Sequence, residues 1–331
     1  MPNPYISGTG FYLPPRIVTN DELSSYMDTT DEWIQERTGI KERRYVEKGV
    51  GPSDLAISAT EQALKAAGLT VSDIDFIIFA TSTPDFYAPG SGCVLQEKMG
   101  FNEIGALDIR VQCSGFIYGL SIAEQYIRTG NFKNILLIGA EVQSTAMNLT
   151  DEGRDTAIIF GDGSGAAIIS ATEENKGILS THMHSEGKYL KELWLEAPAS
   201  NAGHPRITRE VLDEGKQYLK MNGKEVFRHA ITRFPEVINE ALEANNLTSE
   251  NINLLIPHQA NLRITQMVQK RLGLSNDQVF SNIHKYGNTT AATIPIALAE
   301  AFNEGRIKEG DILVLAAFGA GFTWASAIMK W

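Results

Sequence analysis

Residues 61–80, EQALKAAGLTVSDIDFIIFA, and residues 239–258, NEALEANNLTSENINLLIPH, share one pattern: a helix, a short loop and a buried strand. Matching positions include Ala63 with Ala241, Leu64 with Leu242, Leu69 with Leu247, and Ile78 with Ile256. A second pair follows in step, NFKNILLIGAE from residue 131 and IKEGDILVLAAF from residue 307. Chance similarity between amphipathic helices is the alternative, but the shared loop and the second pair argue against it. The sequence therefore predicts an internally duplicated chain.

Repeated helix-then-strand units with nearly continuous apolar strands are typical of sheets covered by helices. We therefore expect an α/β fold of two similar halves packed in layers, with an N-terminal half at 1–175 and a C-terminal half at 223–331. Between them, residues 176–222 carry Gly, Pro, Ser and Asn clusters with scattered apolar residues. This composition predicts a surface excursion that forms a lid or a tunnel wall.

Composition excludes several classes of protein. The 331 residues are 43% hydrophobic and 21% charged, as in ordinary globular chains, and the net charge of -11 opposes nucleic-acid binding. We expect a cytoplasmic protein that is not held in a membrane, because no signal-like N-terminus and no apolar stretch of about 18 residues is present. Cys93 and Cys113 lie in dissimilar contexts, which argues against a disulfide scaffold or structural zinc.

Cys113 is the candidate nucleophile. ALDIRV before it alternates as a strand would, and SGFIYGLSIAEQYIRTGN after it has helical spacing, so the cysteine is predicted at a strand-to-helix turn. A helix N-terminus favours thiolate and lowers a cysteine pKa to roughly 3.5 to 7.5 in known cases. A buried cysteine that only fills space is the alternative.

His258 follows the strand NINLLI, and Asn288 stands before a helix in the segment KYGNTTAATIP. Each alone fits a structural role, such as a turn or helix-cap residue for Asn288. With Cys113 they fit a decarboxylative condensation, in which the thiolate carries an acyl group and the imidazole and amide donate to enolate oxygen. The glycine-containing turn AFGAGFT near the C-terminus is a candidate source of a backbone N–H for the same site.

Two other motifs give weaker indications of a functional site. FGDGSGAA at 160–167 lacks an acidic ribose ligand on a following strand and is interpreted as a turn. His182 and His184 fall on one face of a predicted strand, but no third ligand is evident in the sequence, so we expect no metal site.

Taken together, VQCSGF, IPHQANLRI, HKYGNTTAATIP and AFGAGFTW resemble the β-ketoacyl-acyl-carrier-protein synthase III family, thiolase-like condensing enzymes that begin type II fatty-acid synthesis. The resemblance runs from end to end and includes ISGTGFYLPPRIVTN, TTDEWIQERTGIKERR and IIFGDGSGAA. It implies a thiolase-like α-β-α-β-α unit, a homodimer, no cofactor, and two substrates, an acyl-CoA primer and malonyl-acyl-carrier protein.

The resemblance also implies roles for individual residues. Cys113 would be acylated, His258 and Asn288 would donate to the malonyl carbonyl, and the backbone N–H groups of Cys113 and Ala320 would form the oxyanion hole. The implied coenzyme A contacts are Trp33, Arg37, Arg154, Phe227 and Asn261, and the implied carrier-protein patch is Arg228, Arg263, Lys270 and Arg271. Solvated helix charges are the alternative for that patch.

Two positions depart from the family pattern. Ala320 interrupts a glycine run, which matters if that position needs a positive φ. Ala88 stands where short-chain members often carry a phenylalanine that caps the acyl pocket from the partner subunit, so this position is a candidate gate for a longer tunnel. The alternatives are a related condensing enzyme, acyltransferase or thioesterase acting on longer chains in specialised metabolism, and a non-catalytic subunit that shapes a partner's tunnel.

Overall fold

The computed structural model describes residues 1–331. The strands are β1 (Asn3–Tyr12), β2 (Arg16–Thr19), β3 (Glu42–Tyr45), β4 (Phe76–Ala80), β5 (Gly105–Ile109), β6 (Asn134–Glu141), β7 (Gly163–Thr172), β8 (Gly177–Ser185), β9 (Leu193–Trp194), β10 (Lys220–Met221), β11 (Leu254–Pro257), β12 (Ile312–Gly319) and β13 (Thr323–Lys330). The helices are α1 (Asn20–Ser24), α2 (Asp31–Thr38), α3 (Pro52–Ala67), α4 (Ser91–Met99), α5 (Gly115–Arg128), α6 (Arg154–Ala157), α7 (Arg209–Asp213), α8 (Gly223–Ala244), α9 (Leu262–Leu272), α10 (Ile283–Tyr286) and α11 (Thr293–Asn303). None of these helices has the length and apolarity needed to cross a bilayer.

The duplication predicted from sequence is present in the strand pairing. One sheet has five strands in the order β1-β7-β6-β4-β5, and the other has four in the order β11-β12-β13-β8. In the first, β4 lies parallel to β6 with Phe76 opposite Ile135; in the second, β11 lies parallel to β12 with Leu254 opposite Leu313. These are the positions that the two sequence repeats align, so register as well as topology is repeated.

The helices cover both sheets and separate them. The apolar faces of α5 and α11 share one buried cluster with residues from both sheets, so these helices form the central layer. The outer layers are α3, which packs on β4, β6 and β7, and α8 with α9, which pack on the second sheet. Helices cover the apolar residues of every strand in both sheets, so the chain forms the expected layered α-β-α-β-α unit. The predicted fold class is confirmed.

The boundary predicted at residue 176 is placed too early. Residues 177–185 form β8, which pairs antiparallel with β13 from Thr323 opposite Ser185 to Lys330 opposite Gly177. The sequence predicted a strand around His182 and His184 but assigned it to the excursion, because its polar outer positions break the apolar pattern of a core strand. The excursion therefore begins after β8 and contains β9, α7 and β10. We propose that the two halves meet between β7 and β8.

Candidate active site

Cys113 lies in the connection between β5 of the first sheet and α5 of the central layer. β5 ends at Ile109, a 3-10 helix spans Gln112–Ser114, and α5 begins at Gly115, as the predicted strand-to-helix turn requires. The side chain is buried against the end of β12. A Cβ on Gly319 would lie 2.4 Å from Cys113 Cβ and 2.7 Å from its Sγ, so only glycine allows this approach.

Burial controls the ionisation of this thiol. Desolvation, followed by the charge of Glu141, raises the pKa of Cys113 to about 12, although the backbone N–H groups of Ala320 and Cys113 act in the opposite direction. Desolvation therefore acts against the thiolate that the helix N-terminus was predicted to favour. The two N–H groups nevertheless face the sulfur, which is where the oxyanion hole was predicted. Ala320 does not need a positive φ, since the left-handed residue of that turn is Gly321 at 138°.

His258 presents one ring nitrogen to the site. It follows β11 directly, is only 2% exposed, and its Nδ1 lies 2.6 Å from Thr293 Oγ1. Nε2 is buried and has no hydrogen-bond partner. Burial lowers the pKa of His258 to about 3, so the imidazole is neutral over the ordinary working range. A neutral ring with an unpaired Nε2 can donate or accept one hydrogen bond there, depending on its tautomer.

Asn288 has one half of its amide fixed by the backbone. Its Oδ1 accepts from the N–H of Thr290 at 2.8 Å, and its own N–H donates to the Ile159 carbonyl at 2.9 Å. Gly287 precedes it with φ at 65°, a left-handed conformation that suits glycine. Because Oδ1 is occupied, the amide presents Nδ2 as its donor.

One cavity of about 510 Å³ joins these groups to the surface. Its lining includes Cys113, His258 and Asn288, so the structure brings together the three residues that were singled out as chemical. The same lining contains the residues predicted to contact coenzyme A: Trp33, Arg37, Arg154, Phe227 and Asn261. A ligand that enters beside Trp33 can therefore reach Cys113 within one continuous space.

Two guanidinium groups stack on Trp33 at the mouth of this cavity. Arg37 Cζ lies 4.2 Å and Arg154 Cζ lies 4.8 Å from the ring centroid. The family resemblance implies that the adenine of coenzyme A is held between Trp33 and Arg154. An adenine between these two flat groups needs two contacts of about 3.5 Å each, which exceeds the 4.8 Å available. Arg154, held by a 2.8 Å hydrogen bond to the Asp28 carbonyl, therefore covers the indole and must move for a base to enter between them.

Asn261 and Phe227 line the same cavity, and the amide of Asn261 also makes two hydrogen bonds within the protein. Its Oδ1 caps α9 by accepting from the N–H of Arg263 at 2.9 Å, and its Nδ2 donates to the Arg37 carbonyl at 2.9 Å. The Phe227 ring faces Arg263 at 5.8 Å. These bonds fix the wall of the cavity, since they tie α2 to α9.

The predicted basic patch is distributed over α8 and α9. Arg228 pairs with Glu225 at 2.5 Å, and Arg271 donates to the Ile231 carbonyl of α8. Arg263 lines the cavity mouth, and Lys270 lies in the last turn of α9. The four side chains thus lie on two packed helices, of which only Arg263 lines the cavity, and Arg228 is already paired with Glu225.

Glu141 is a buried acid that sequence reasoning missed. It ends β6, is fully buried, and accepts from Ser82 Oγ and Thr83 Oγ1, each at 2.8 Å. Burial raises its pKa to about 7 despite these bonds. A carboxylate that closes the apolar run ILLIGA was the available signal. Glu141 lies close enough to Cys113 for its charge to affect the thiol.

A second cavity, of about 430 Å³, also reaches Cys113. Tyr87 lines it, together with Leu193 and Trp194 from the excursion, whereas the neighbouring Ala88 is exposed and is absent from the lining. Within a single chain, the segment expected to gate an acyl pocket therefore contributes Tyr87 rather than Ala88. The excursion forms part of a cavity wall.

The two histidines of THMH have a carboxylate partner that the sequence did not reveal. His182 Nδ1 lies 3.2 Å and His184 Nε2 lies 2.6 Å from the two oxygens of Glu240 on α8. No group of three such side chains has an arrangement suited to a metal ion. The cluster joins β8 to the outer helix through hydrogen bonds.

Known proteins of one family resemble the chain throughout. The family model described as 3-oxoacyl-[acyl-carrier-protein (ACP)] synthase III matches residues 107–187, and the model of its C-terminal part matches residues 242–331. The β-ketoacyl-[acyl-carrier-protein] synthase III of Caldanaerobacter subterraneus is 47% identical over 98% of this chain and 97% of its own length. That of Clostridioides difficile is 46% identical over 98% of each chain.

Solved structures agree with these relatives. The crystal structure of 3-oxoacyl-[acyl-carrier-protein] synthase III from Aquifex aeolicus superposes with a TM-score of 0.90 at 40% identity, covering 99% of this chain and 100% of that one. The priming β-ketosynthase of the R1128 polyketide pathway superposes with a TM-score of 0.91 at 29% identity, covering 99% and 96%. The resemblance found in the sequence motifs is confirmed.

Proposed function

Since the chain belongs to the 3-oxoacyl-[acyl-carrier-protein] synthase III family, we propose that it condenses an acyl-CoA primer with malonyl-acyl-carrier protein and so initiates fatty-acid synthesis. One observation carries the proposal. A single cavity runs from Trp33 to Cys113 and is lined there by His258 and Asn288, whose unused polar atoms are one imidazole nitrogen and one amide nitrogen.

In the first step, Cys113 Sγ attacks the thioester carbonyl carbon of the primer. The bond from that carbon to the coenzyme A sulfur breaks, and coenzyme A leaves as a thiol with the proton that Cys113 gave up. The N–H groups of Cys113 and Ala320 stabilise the oxyanion.

In the second step, the malonyl thioester loses carbon dioxide, and its enolate carbon attacks the acyl carbonyl carbon on Cys113. The bond from that carbonyl carbon to Cys113 Sγ then breaks, and the released thiolate takes up a proton from water. His258 Nε2 and Asn288 Nδ2 donate to the thioester oxygen on which negative charge develops. This role needs the tautomer of His258 that carries hydrogen on Nε2, with Nδ1 accepting from Thr293 Oγ1. Because burial lowers the pKa of His258 to about 3, the imidazole is neutral and can hold this tautomer.

The binding roles follow from the cavity mouth. Trp33 and Arg154 would hold the adenine once Arg154 swings off the indole, and Arg37 would contact phosphate. Pantetheine would pass Phe227 and Asn261, which line the path to Cys113. The acidic carrier protein would approach Arg228, Arg263, Lys270 and Arg271 around the same opening. Such a local patch is compatible with a net charge of -11.

We include in the proposal that the enzyme works as a cytoplasmic homodimer without a resident cofactor. Carbon dioxide loss generates the carbanion, so the two steps need only a thiol, hydrogen-bond donors and a proton acceptor. In such a dimer, the exposed segment around Ala88 would reach the partner's acyl pocket, and the small side chain there would leave the pocket long.

Intact-mass spectrometry after incubation with a panel of acyl-CoAs tests the proposal. We expect a single acyl adduct that disappears in Cys113→Ala, persists in the matched control Cys93→Ala, and is discharged by malonyl-acyl-carrier protein. Asn288→Asp should acylate but hold its adduct through the chase, because it loses the donor to the enolate. An adduct that forms in Cys113→Ala, or none with any acyl-CoA, would refute the proposal.

A further inference from the structure

The second cavity at Cys113 has a polar wall close to the nucleophile. It shares Cys113 with the first cavity but not Trp33, His258 or Asn288, so an acyl group on the sulfur can extend into it and leave the other side to the incoming malonyl unit. Hydrocarbon tails favour apolar walls, yet the lining here also includes the polar residues Gln112 and Thr290.

Thr290 offers a hydroxyl that has no partner. The residue is 4% exposed, lines the cavity, and its Oγ1 is buried without any hydrogen bond. Its backbone N–H donates to Asn288 Oδ1 at 2.8 Å, which fixes the residue in place. Buried hydroxyls are nearly always paired, so an unpaired one that lines a ligand cavity indicates a partner on the ligand.

Backbone strain marks the same two residues. Gln112 has φ at 45° and Thr290 has φ at 50°, and only one other non-glycine residue in the chain, Asn246, has a positive φ. Left-handed conformations of such residues cost energy and persist where the surroundings require them. The 3-10 helices that contain Gln112 and Thr290 are in contact, so the two side chains lie on adjoining parts of one wall.

Gln143 extends this wall and is held rigidly. It is 5% exposed, and its Nε2 donates to Ser82 Oγ at 2.9 Å and to Glu141 at 3.2 Å. Both N–H functions of the amide thus face the buried carboxylate network, and Oε1 is the group left for a ligand. The wall therefore presents a preorganised acceptor on Gln143 beside the free hydroxyl of Thr290.

Building on the proposed function, we infer that the preferred primer is an acyl group bearing a hydroxyl or carbonyl on its third carbon. The first carbon is held at Cys113 Sγ by the oxyanion donors, and the second bridges to the wall formed by Gln112 and Thr290. A substituent on the third carbon can pair with the Thr290 hydroxyl and the Gln112 amide. The acylation chemistry is unchanged: the thioester is exchanged, and the proton of Cys113 leaves on coenzyme A.

The test compares butanoyl-, 3-hydroxybutanoyl- and acetoacetyl-CoA, which match in length and differ only at that carbon. Rates of Cys113 acylation are measured by quenched intact mass for the wild-type enzyme, Thr290→Val and Gln112→Met. Each variant keeps the shape of the side chain and removes its hydrogen-bonding group. We expect kcat/KM for the oxygenated primers to exceed that for butanoyl about tenfold in the wild type, a ratio that falls towards one in both variants.

The outcomes separate this inference from the proposed function. Equal or faster acylation by butanoyl-CoA in the wild type overturns the inference while leaving the condensing activity in place. This comparison uses the wild-type enzyme alone, so it does not depend on whether the variants fold. A preference that persists in both variants overturns the role given to Thr290 and Gln112. Absence of labelling by every acyl-CoA overturns the proposed function and the inference together.

Discussion

Replacement of Thr293 by valine should slow condensation more than any other change of similar size outside the groups that touch substrate. The hydroxyl of Thr293 lies 2.6 Å from His258 Nδ1 and 3.1 Å from the Thr290 carbonyl. When this hydroxyl donates to Nδ1, the ring hydrogen lies on Nε2, which is then a donor. The hydroxyl of Thr293 thus favours the tautomer that the condensation step requires.

The magnitude follows from the burial of the pair. Thr293 and His258 are each 2% exposed, so Thr293→Val leaves Nδ1 without a partner at a cost of about 1 to 3 kcal/mol. Every 1.36 kcal/mol is a factor of ten in rate, so a cost borne by the transition state lowers kcat by roughly 5- to 160-fold. Valine matches threonine in shape, which keeps the start of α11 packed.

The assay separates the two half-reactions. Quenched intact mass follows acylation of Cys113 by acyl-CoA, and product formation after a malonyl-acyl-carrier-protein chase follows condensation. We expect Thr293→Ser to retain most of the condensation rate, because it keeps the hydroxyl, and Thr293→Val to lose it, while KM for acyl-CoA stays near the wild-type value. A valine variant that condenses at the wild-type rate, or a serine variant as slow as valine, would refute the tautomer argument.

Three further outcomes are expected. The pKa of Cys113 is raised above that of a free thiol, so its thiolate fraction and its alkylation by iodoacetamide should rise about tenfold per pH unit from pH 7 to 10. Site-resolved mass spectra measure this alkylation, with exposed Cys93 as the internal control. A plateau by pH 8 would contradict the prediction. Gly319→Ala should reduce acylation at least about 100-fold, because its methyl would overlap Cys113, whereas Gly187→Ala, where a Cβ meets nothing within 4 Å, should acylate and melt as the wild type does. Arg154→Ala should raise KM for acyl-CoA roughly 2- to 30-fold through loss of a cation-π partner, with the condensation rate unaffected. A lower KM would show that Arg154 blocks access to the Trp33 indole instead of binding the adenine.

The core fold was predictable because its signal is local. The apolar residues of 61–80 and 239–258 recur with the spacing of one helix face and one buried strand, and this spacing fixes which side of each element is covered. The pairing of Phe76 with Ile135 and of Leu254 with Leu313 then follows from two copies of one unit. The strand that holds His182 and His184, β8, was assigned to the excursion because its outer positions are polar and its partner β13 lies far away along the chain.

By itself, the sequence determined the layered duplicated fold, the family, and the choice of Cys113, His258 and Asn288, since these depend on residue types and short-range spacing. Only the tertiary structure decided their electrostatics and partners. Burial sets the raised pKa of Cys113 and the lowered pKa of His258, and burial depends on the segments that pack around a residue. The contacts of Thr293 with His258 and of Gly319 with Cys113 join residues far apart along the chain, so no local pattern could encode them.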